Sequence, residues 1–234
     1  MAPDESCTVK DLLYSMGNVW YTIFNPYFAH THLGIRRRGR EMCGRYQLAA
    51  AQSAEIQQIL NAVQTAYGNG SWAPGEIRPT HRAPVLTEAG GVIVPRLMKW
   101  GYQLPHTLVI NARAETAAEK PLFRESVASR RCLVPATGFY EWDSQKRKYL
   151  FTLPGESALY MAGLYDRRDG EDCYCILTTA PNGSMRPIHD RMPLILTEPQ
   201  RRQWLADSGA AADLLAAVPP ELQRRSEERQ ISLW

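Results

Sequence analysis

The sequence predicts an α+β protein: a largely antiparallel, strongly curved β-sheet forming a sandwich or partial barrel, with a few flanking helices in a single domain. Three observations predict this class. Short apolar runs of strand composition recur at close intervals between residues 91 and 196. The breaks between them are hairpin-like, as at Arg168-Asp169-Gly170, which favours antiparallel pairing over parallel βαβ units. Helical period is confined to a few stretches.

Residues 1–41 carry neither helical nor strand period and end in the basic run Arg36-Arg37-Arg38-Gly39-Arg40. They are read as a leader or a mis-assigned start outside the fold, and residues 42–234 as the domain. From Ser53, a natural N-cap, Ile56, Ile59, Leu60 and Val63 follow the i, i+3, i+4, i+7 spacing of an amphipathic helix. A turn-rich stretch with Gly68, Pro74, Gly75 and Pro79 leads to a strand over 91–100, and a helix is expected over 111–128. Strands are then expected over 132–134, 139–142, 149–153, 159–164, 173–178 and 194–196. Thr197 would cap a helix entered through Pro199, and the charged run 223–230 is assigned no element.

A chain of 234 residues can bury one sizeable core. No apolar run approaches the roughly 18 residues of a membrane span, which excludes a helical membrane protein. The five cysteines, Cys7, Cys43, Cys132, Cys173 and Cys175, are scattered, with no C-x-x-C pair and no neighbouring histidines at zinc spacing, so neither a disulfide framework, a metal nor another cofactor is expected. Cys132, Cys173 and Cys175 lie in strand patterns and read as core residues. Asp4 and Glu5 stand where a secretory signal would be basic, which points to the cytoplasm. From Met42 onward 22 basic residues face 20 acidic ones, so global charge does not argue for nucleic acid and any such case rests on local residues.

Four segments hold the reactive and polar residues: Met42-Cys43-Gly44-Arg45-Tyr46, Asn111-Ala112-Arg113-Ala114-Glu115-Thr116, Gly138-Phe139-Tyr140-Glu141-Trp142 and His189-Asp190-Arg191-Met192-Pro193. In this order, with Trp100-Gly101, Ala73-Pro74 and Thr178-Thr179-Ala180 in support, they closely resemble the SRAP (SOS-response-associated peptidase) family over residues 42–204. A monomer is expected. The resemblance implies a protein that recognises abasic sites in single-stranded DNA, on the nucleoid in a bacterial host, and shields them through a covalent bond. Two departures stand out: 41 residues and Met42 precede the cysteine, and the stretch after Trp204 lacks the Asn-rich closing segment of the family.

The chemistry of Cys43 follows from the residue itself. Initiator methionine is removed before small residues, so a chain started at Met42 exposes an α-amine of reference pKa about 7.7–8.0 beside a thiol of about 8.5. The amine can form a Schiff base with the aldehyde of a ring-opened abasic deoxyribose, and the thiol can close onto the same carbon as a thiazolidine. An internal cysteine cannot, and in that case a small buried apolar residue is the alternative. Gly44 and Arg45, which allow close backbone approach and phosphate pairing, favour a DNA site.

Glu141 is either an ion-pair partner or a functional acid/base, and alternation in its strand turns it away from Tyr140 and Trp142. The resemblance implies the acid/base role, moving protons during ring opening and Schiff-base formation. His189 is either a turn histidine held by Asp190 or, as the resemblance implies, a site residue that protonates the sugar oxygen or assists reversal. Asn111 would hydrogen-bond the deoxyribose or the aminothiol without adding charge. Arg45, Arg113 and Arg191 would pair with phosphates if their motifs converge, and Trp100 would stack a base or pack in the core. The competing readings are a self-cleaving thiol peptidase acting at Met42–Cys43, with Glu141 or His189 assisting, and a non-covalent single-strand binding module.

Overall fold

The computed structural model describes residues 44–68 and 72–227, which fall within one compact unit. The elements run β1 (Arg45–Leu48), α1 (Ala54–Tyr67), β2 (Gly75–Ile77), β3 (Arg82–Ala89), β4 (Val92–Trp100), β5 (Tyr102–Leu104), β6 (Thr107–Val109) and β7 (Asn111–Arg113). After them come α2 (Ala114–Ala117), α3 (Arg124–Ser129), β8 (Arg131–Ala136), β9 (Gly138–Trp142), β10 (Lys148–Thr152), β11 (Leu159–Arg168) and β12 (Glu171–Thr179). The last are β13 (Met192–Pro193), α4 (Glu198–Ala206), α5 (Ser208–Leu214) and β14 (Gln223–Ser226).

Five strands close on themselves: β11, β8, β3, β4 and β12 pair in that order, and β12 pairs back to β11. Closure leaves those strands no open edge. All pairings in the ring are antiparallel except β12 with β4, where Cys173 lies opposite Lys99 and Tyr174 opposite Trp100. The β11–β12 hairpin turns at Asp169 (φ 49°) and Gly170 (φ 80°), the left-handed pair that a two-residue hairpin turn demands. Where β8, β11 and β12 meet, a Cβ on Gly163 would lie 2.9 Å from Cys132 Sγ and 3.1 Å from the Cys175 carbonyl, so only glycine fits. Cys132, Cys173 and Cys175 are all buried, as their strand positions predict.

A second, all-antiparallel sheet, ordered β14-β10-β9-β1-β2, lies against this barrel. The two are joined through β1: Tyr46 and Tyr174 share a hydrogen bond of 2.7 Å between their hydroxyls. Burial pushes both phenols far above their ordinary range, so each stays neutral where it can share that proton.

Helix α1 begins where the periodicity places it, with Ser53 Oγ accepting the Ile56 amide at 3.3 Å and Ile56, Leu60 and Val63 buried. Thr197 and Gln200 form a capping box that starts α4. Arg131 closes two helix ends at once, its guanidinium donating to the carbonyls of Val127 and Ala128 at the end of α3 and of Trp204 and Leu205 in α4.

Three expectations are corrected. Residues 111–128 are not one helix: Asn111–Arg113 is a strand paired in parallel with β12, and Pro121 separates α2 from α3 because it disfavours helical backbone at the residue before it. Residues 194–196 form an isolated bridge between Ile195 and Met161, not a strand, although all three side chains are buried. The charged run contains β14, whose side chains are exposed and whose backbone extends the second sheet beside β10. The assignments made to residues 1–41 lie outside the described residues.

Candidate functional site

The first and third motifs are neighbours in the second sheet. β1 runs antiparallel to β9 with Arg45 opposite Tyr140, and Cys43, itself outside the described residues, is two residues before Arg45 in the chain. Alternation along β9 puts Phe139 and Glu141 on the inner face. Phe139 stacks on Phe151 with ring centres 5.2 Å apart, and Glu141 is only 2% exposed. Tyr140 and Trp142 take the other face, under Lys148 Nζ at 3.6 Å and the Arg45 guanidinium at 5.3 Å respectively.

The second and fourth motifs meet on the barrel. β7 lies beside β12 with Asn111 opposite Ile176 and Arg113 opposite Thr178. Arg191 reaches back to the same place: its fork donates to both Glu115 oxygens at 2.5 and 2.8 Å, and to the Thr178 carbonyl at 2.6 Å. The hydrogen bond from Arg191 is the main reason that the Glu115 carboxyl titrates below the ordinary range. The Arg191 side chain is 13% exposed, and its two terminal nitrogens are engaged by Glu115 and Thr178. Arg113 is exposed at the end of β7, and Asn111 is half-buried at its start.

His189 is 4% exposed and belongs to the loop between β12 and β13. Its Nδ1 accepts the Arg191 amide at 3.1 Å and also lies 3.1 Å from Asp190 Oδ1. These two contacts compete, because Nδ1 can accept the fixed amide proton or donate its own proton to Asp190, but not both. The amide prevails: its proton cannot move away, whereas the Asp190 side chain is 90% exposed and satisfied by water. The imidazole is thereby set as the tautomer carrying its proton on Nε2. That nitrogen is buried and has no hydrogen-bond partner among the described residues. His189 lines a cleft of about 470 Å³ with Ser144, Pro181, Arg186, Pro187, Ile188 and Asp190. Ser144 follows β9 closely, so the loop bearing His189 and the end of the Glu141 strand border one cavity.

Trp100, for which the sequence leaves base stacking and core packing both open, is buried. It is 0% exposed, stacked on Tyr174, tilted against Tyr46, and donates its indole N–H to the Ile110 carbonyl at 3.0 Å. No face remains on which a base could stack, so it is a core residue at the junction of the two sheets. Four residues of consequence escaped the sequence reading: Glu115, Ser144, Arg186 and Glu76. Only Glu115 had a visible signal, a carboxylate within a motif otherwise supplying cations and an amide. Glu76 holds Arg45 Nη1 at 2.9 Å, Arg78 Nε at 2.8 Å and Lys148 Nζ at 3.1 Å. Desolvation raises its pKa, but the hydrogen bonds from Lys148 and Arg78 outweigh that and leave it below the ordinary range.

Among the described residues no three His, Cys, Asp or Glu side chains gather closely enough to hold a metal ion, and no helix is long and apolar enough to cross a membrane. The fold is a closed five-stranded barrel carrying a second antiparallel sheet, with His189 lining a cleft that Ser144, just after the strand of the buried Glu141, also borders. The family model described as SOS response associated peptidase (SRAP) matches residues 42–232. The chain belongs to the SRAP family.

Among relatives, abasic site processing protein YoaM of Bacillus subtilis is 33% identical over 194 residues, covering 76% of this chain and 85% of its own. Abasic site processing protein YedK of Escherichia coli is 30% identical over 191 residues, with 75% and 86% covered. A Bacteroides thetaiotaomicron protein of known crystal structure superposes with a TM-score of 0.64 at 26% identity, covering 79% of this chain and 91% of its own.

Proposed function

We propose that this protein recognises abasic sites in single-stranded DNA and captures them covalently through Cys43 once that residue is the N-terminus. The observation that carries the reading is membership of a family whose relatives, 33% and 30% identical, are named abasic site processing proteins. In support, the chain segment that leaves Cys43 runs beside the strand of Glu141. The Cys43 α-amine attacks C1 of the ring-opened sugar, water leaves, and the thiol adds to the resulting imine carbon to close a thiazolidine. Glu141 moves the protons of these steps, Asn111 orients the sugar or the aminothiol, and the Nε2–H of His189 donates to the sugar oxygen and assists reversal. Arg45 and Arg113 hold phosphates, while Arg191 fixes the turn bearing His189.

Intact-mass measurement tests this. Protein beginning at Cys43 should gain the mass of an abasic oligonucleotide less one water, and the adduct should resist borohydride because no imine remains to be reduced. Protein retaining residues 1–42 has an amide at Cys43 in place of the amine and should form no stable adduct. A stable adduct on protein that still carries Met1 would refute capture by the Cys43 amine.

A second reading, self-cleavage at Met42–Cys43 by the Cys43 thiol, is favoured by the word peptidase in the family's description. It requires a new N-terminus at Cys43 that depends on the thiol. Cys43→Ser processed as fully as the parent excludes it.

A further inference from the structure

We infer that Glu76 is a built-in competitor for phosphate: its carboxylate occupies cations of the proposed DNA face, and Arg45 must leave it or be shared with it when a strand binds there. The inference rests on the single-strand DNA reading above. It starts from strand register. Arg45 lies opposite Tyr140, Gln47 opposite Glu76, Lys148 opposite Trp142, and Arg225 opposite Leu150, itself opposite Tyr140. Directly opposed residues share a face, so the whole set belongs to the outer face of the second sheet. This is the face on which Arg45 and Lys148 rest against the rings of Trp142 and Tyr140.

Glu76 collects three cations within hydrogen-bonding distance, Arg45 at 2.9 Å and Lys148 at 3.1 Å from this face, and Arg78, just beyond β2, at 2.8 Å. Lys148 is shared with Glu227 at 3.1 Å. A core ion pair would be desolvated, but here Arg45 and Arg78 are 38% and 53% exposed and Glu76 is 24% exposed, so the group is open to exchange with solutes. A carboxylate gathering several exposed cations over aromatic rings occupies the position that a backbone phosphate would take. Glu76 neutralises one of the three charges, so Arg45 can bind DNA only by leaving it or by sharing it. Glu76 would therefore lower affinity for undamaged single strands and reduce the number of counterions that binding releases.

The test is a salt titration of oligothymidylate binding, followed by fluorescence anisotropy, with the full chain and its variants. Exposed ion pairs are individually weak, so Glu76→Gln should tighten binding by about 3-fold near 0.1 M salt. It should also steepen the slope of log K against log salt by about 0.7 for each cation set free. Glu76→Asp withdraws the charge by one methylene, should act in the same direction with a smaller gain, and carries the test if the amide variant does not fold. In an Arg45→Gln background the gain from Glu76→Gln should shrink to the part contributed by Arg78 and Lys148. Unchanged affinity and slope in both Glu76 variants, or a gain undiminished by the loss of Arg45, would overturn the inference while leaving the DNA reading in place. A parent protein with no affinity for oligothymidylate would overturn both.

Discussion

Replacing Trp100 by leucine separates a core role from a DNA-contacting one. The ring is 0% exposed, lies 6.3 Å from Tyr174 and 5.3 Å from Tyr46 between centres, and bonds the Ile110 carbonyl. Truncating a buried tryptophan to alanine typically costs about 3–5 kcal/mol, and leucine refills part of the cavity, so about 3 kcal/mol is expected. The lost hydrogen bond adds little, because the Ile110 carbonyl also accepts the Ile176 amide at 3.0 Å and is not left unpaired. At about 2–4 °C per kcal/mol for a domain of this size, Tm should fall by about 6–12 °C in calorimetry. Anisotropy well below the variant's Tm should give single-strand affinity within about 2-fold of the parent, as expected of a site distant from the ligand. A base platform behaves oppositely, losing about 1–3 kcal/mol per stacked base, or about 5- to 150-fold in affinity. An unchanged Tm with affinity reduced more than about 10-fold would refute the core assignment.

Glu115→Gln should destabilise the protein by a small amount at neutral pH, since solvent screens this half-exposed partner of Arg191. The Glu115 carboxyl is lowered in the folded state, so its contribution is present above the unfolded carboxylate pKa of about 4.3 and is lost as pH falls through the folded value. The Tm gap between parent and variant should therefore close below about pH 4, and a gap that widens there would contradict the assignment. Glu141→Gln should slow adduct formation by about 10²-fold or more and leave oligonucleotide binding nearly intact, read by single-turnover mass spectrometry. His189→Ala should act mainly on adduct release, and parental rates in both variants would remove the acid/base roles. Arg113→Glu should weaken binding to any single strand and flatten its salt dependence by about 0.7, whereas equal binding of single and double strands with no loss in this variant would remove the groove.

Some of these assignments were legible in the residues alone. The helix after Ser53, the helix start at Thr197 and the hairpin at Asp169-Gly170 are local features, each determined by residues within a few positions of one another, and each is found where the sequence places it. The inward turn of Glu141 also follows from period two, and the four motifs suffice to recognise the family. The sequence by itself therefore determined the locally encoded elements, the family and the inward face of Glu141.

Only the tertiary structure decided which side chains remain available. Arg45, Arg113 and Arg191 look alike in sequence, yet Arg191 is taken by Glu115 from 76 residues away, Arg45 is shared with Glu76 from 31 residues away, and Arg113 stands exposed. Trp100 was undecided until the second sheet covered it, and Asn111–Arg113 became strand because β12 offered a parallel partner that outweighed helical propensity. The physical reason is common to all of these. Periodicity specifies which way a side chain turns, whereas its partner, burial and free hydrogen bonds depend on register between segments far apart in the chain, and that register exists only once the barrel has closed and the second sheet has docked.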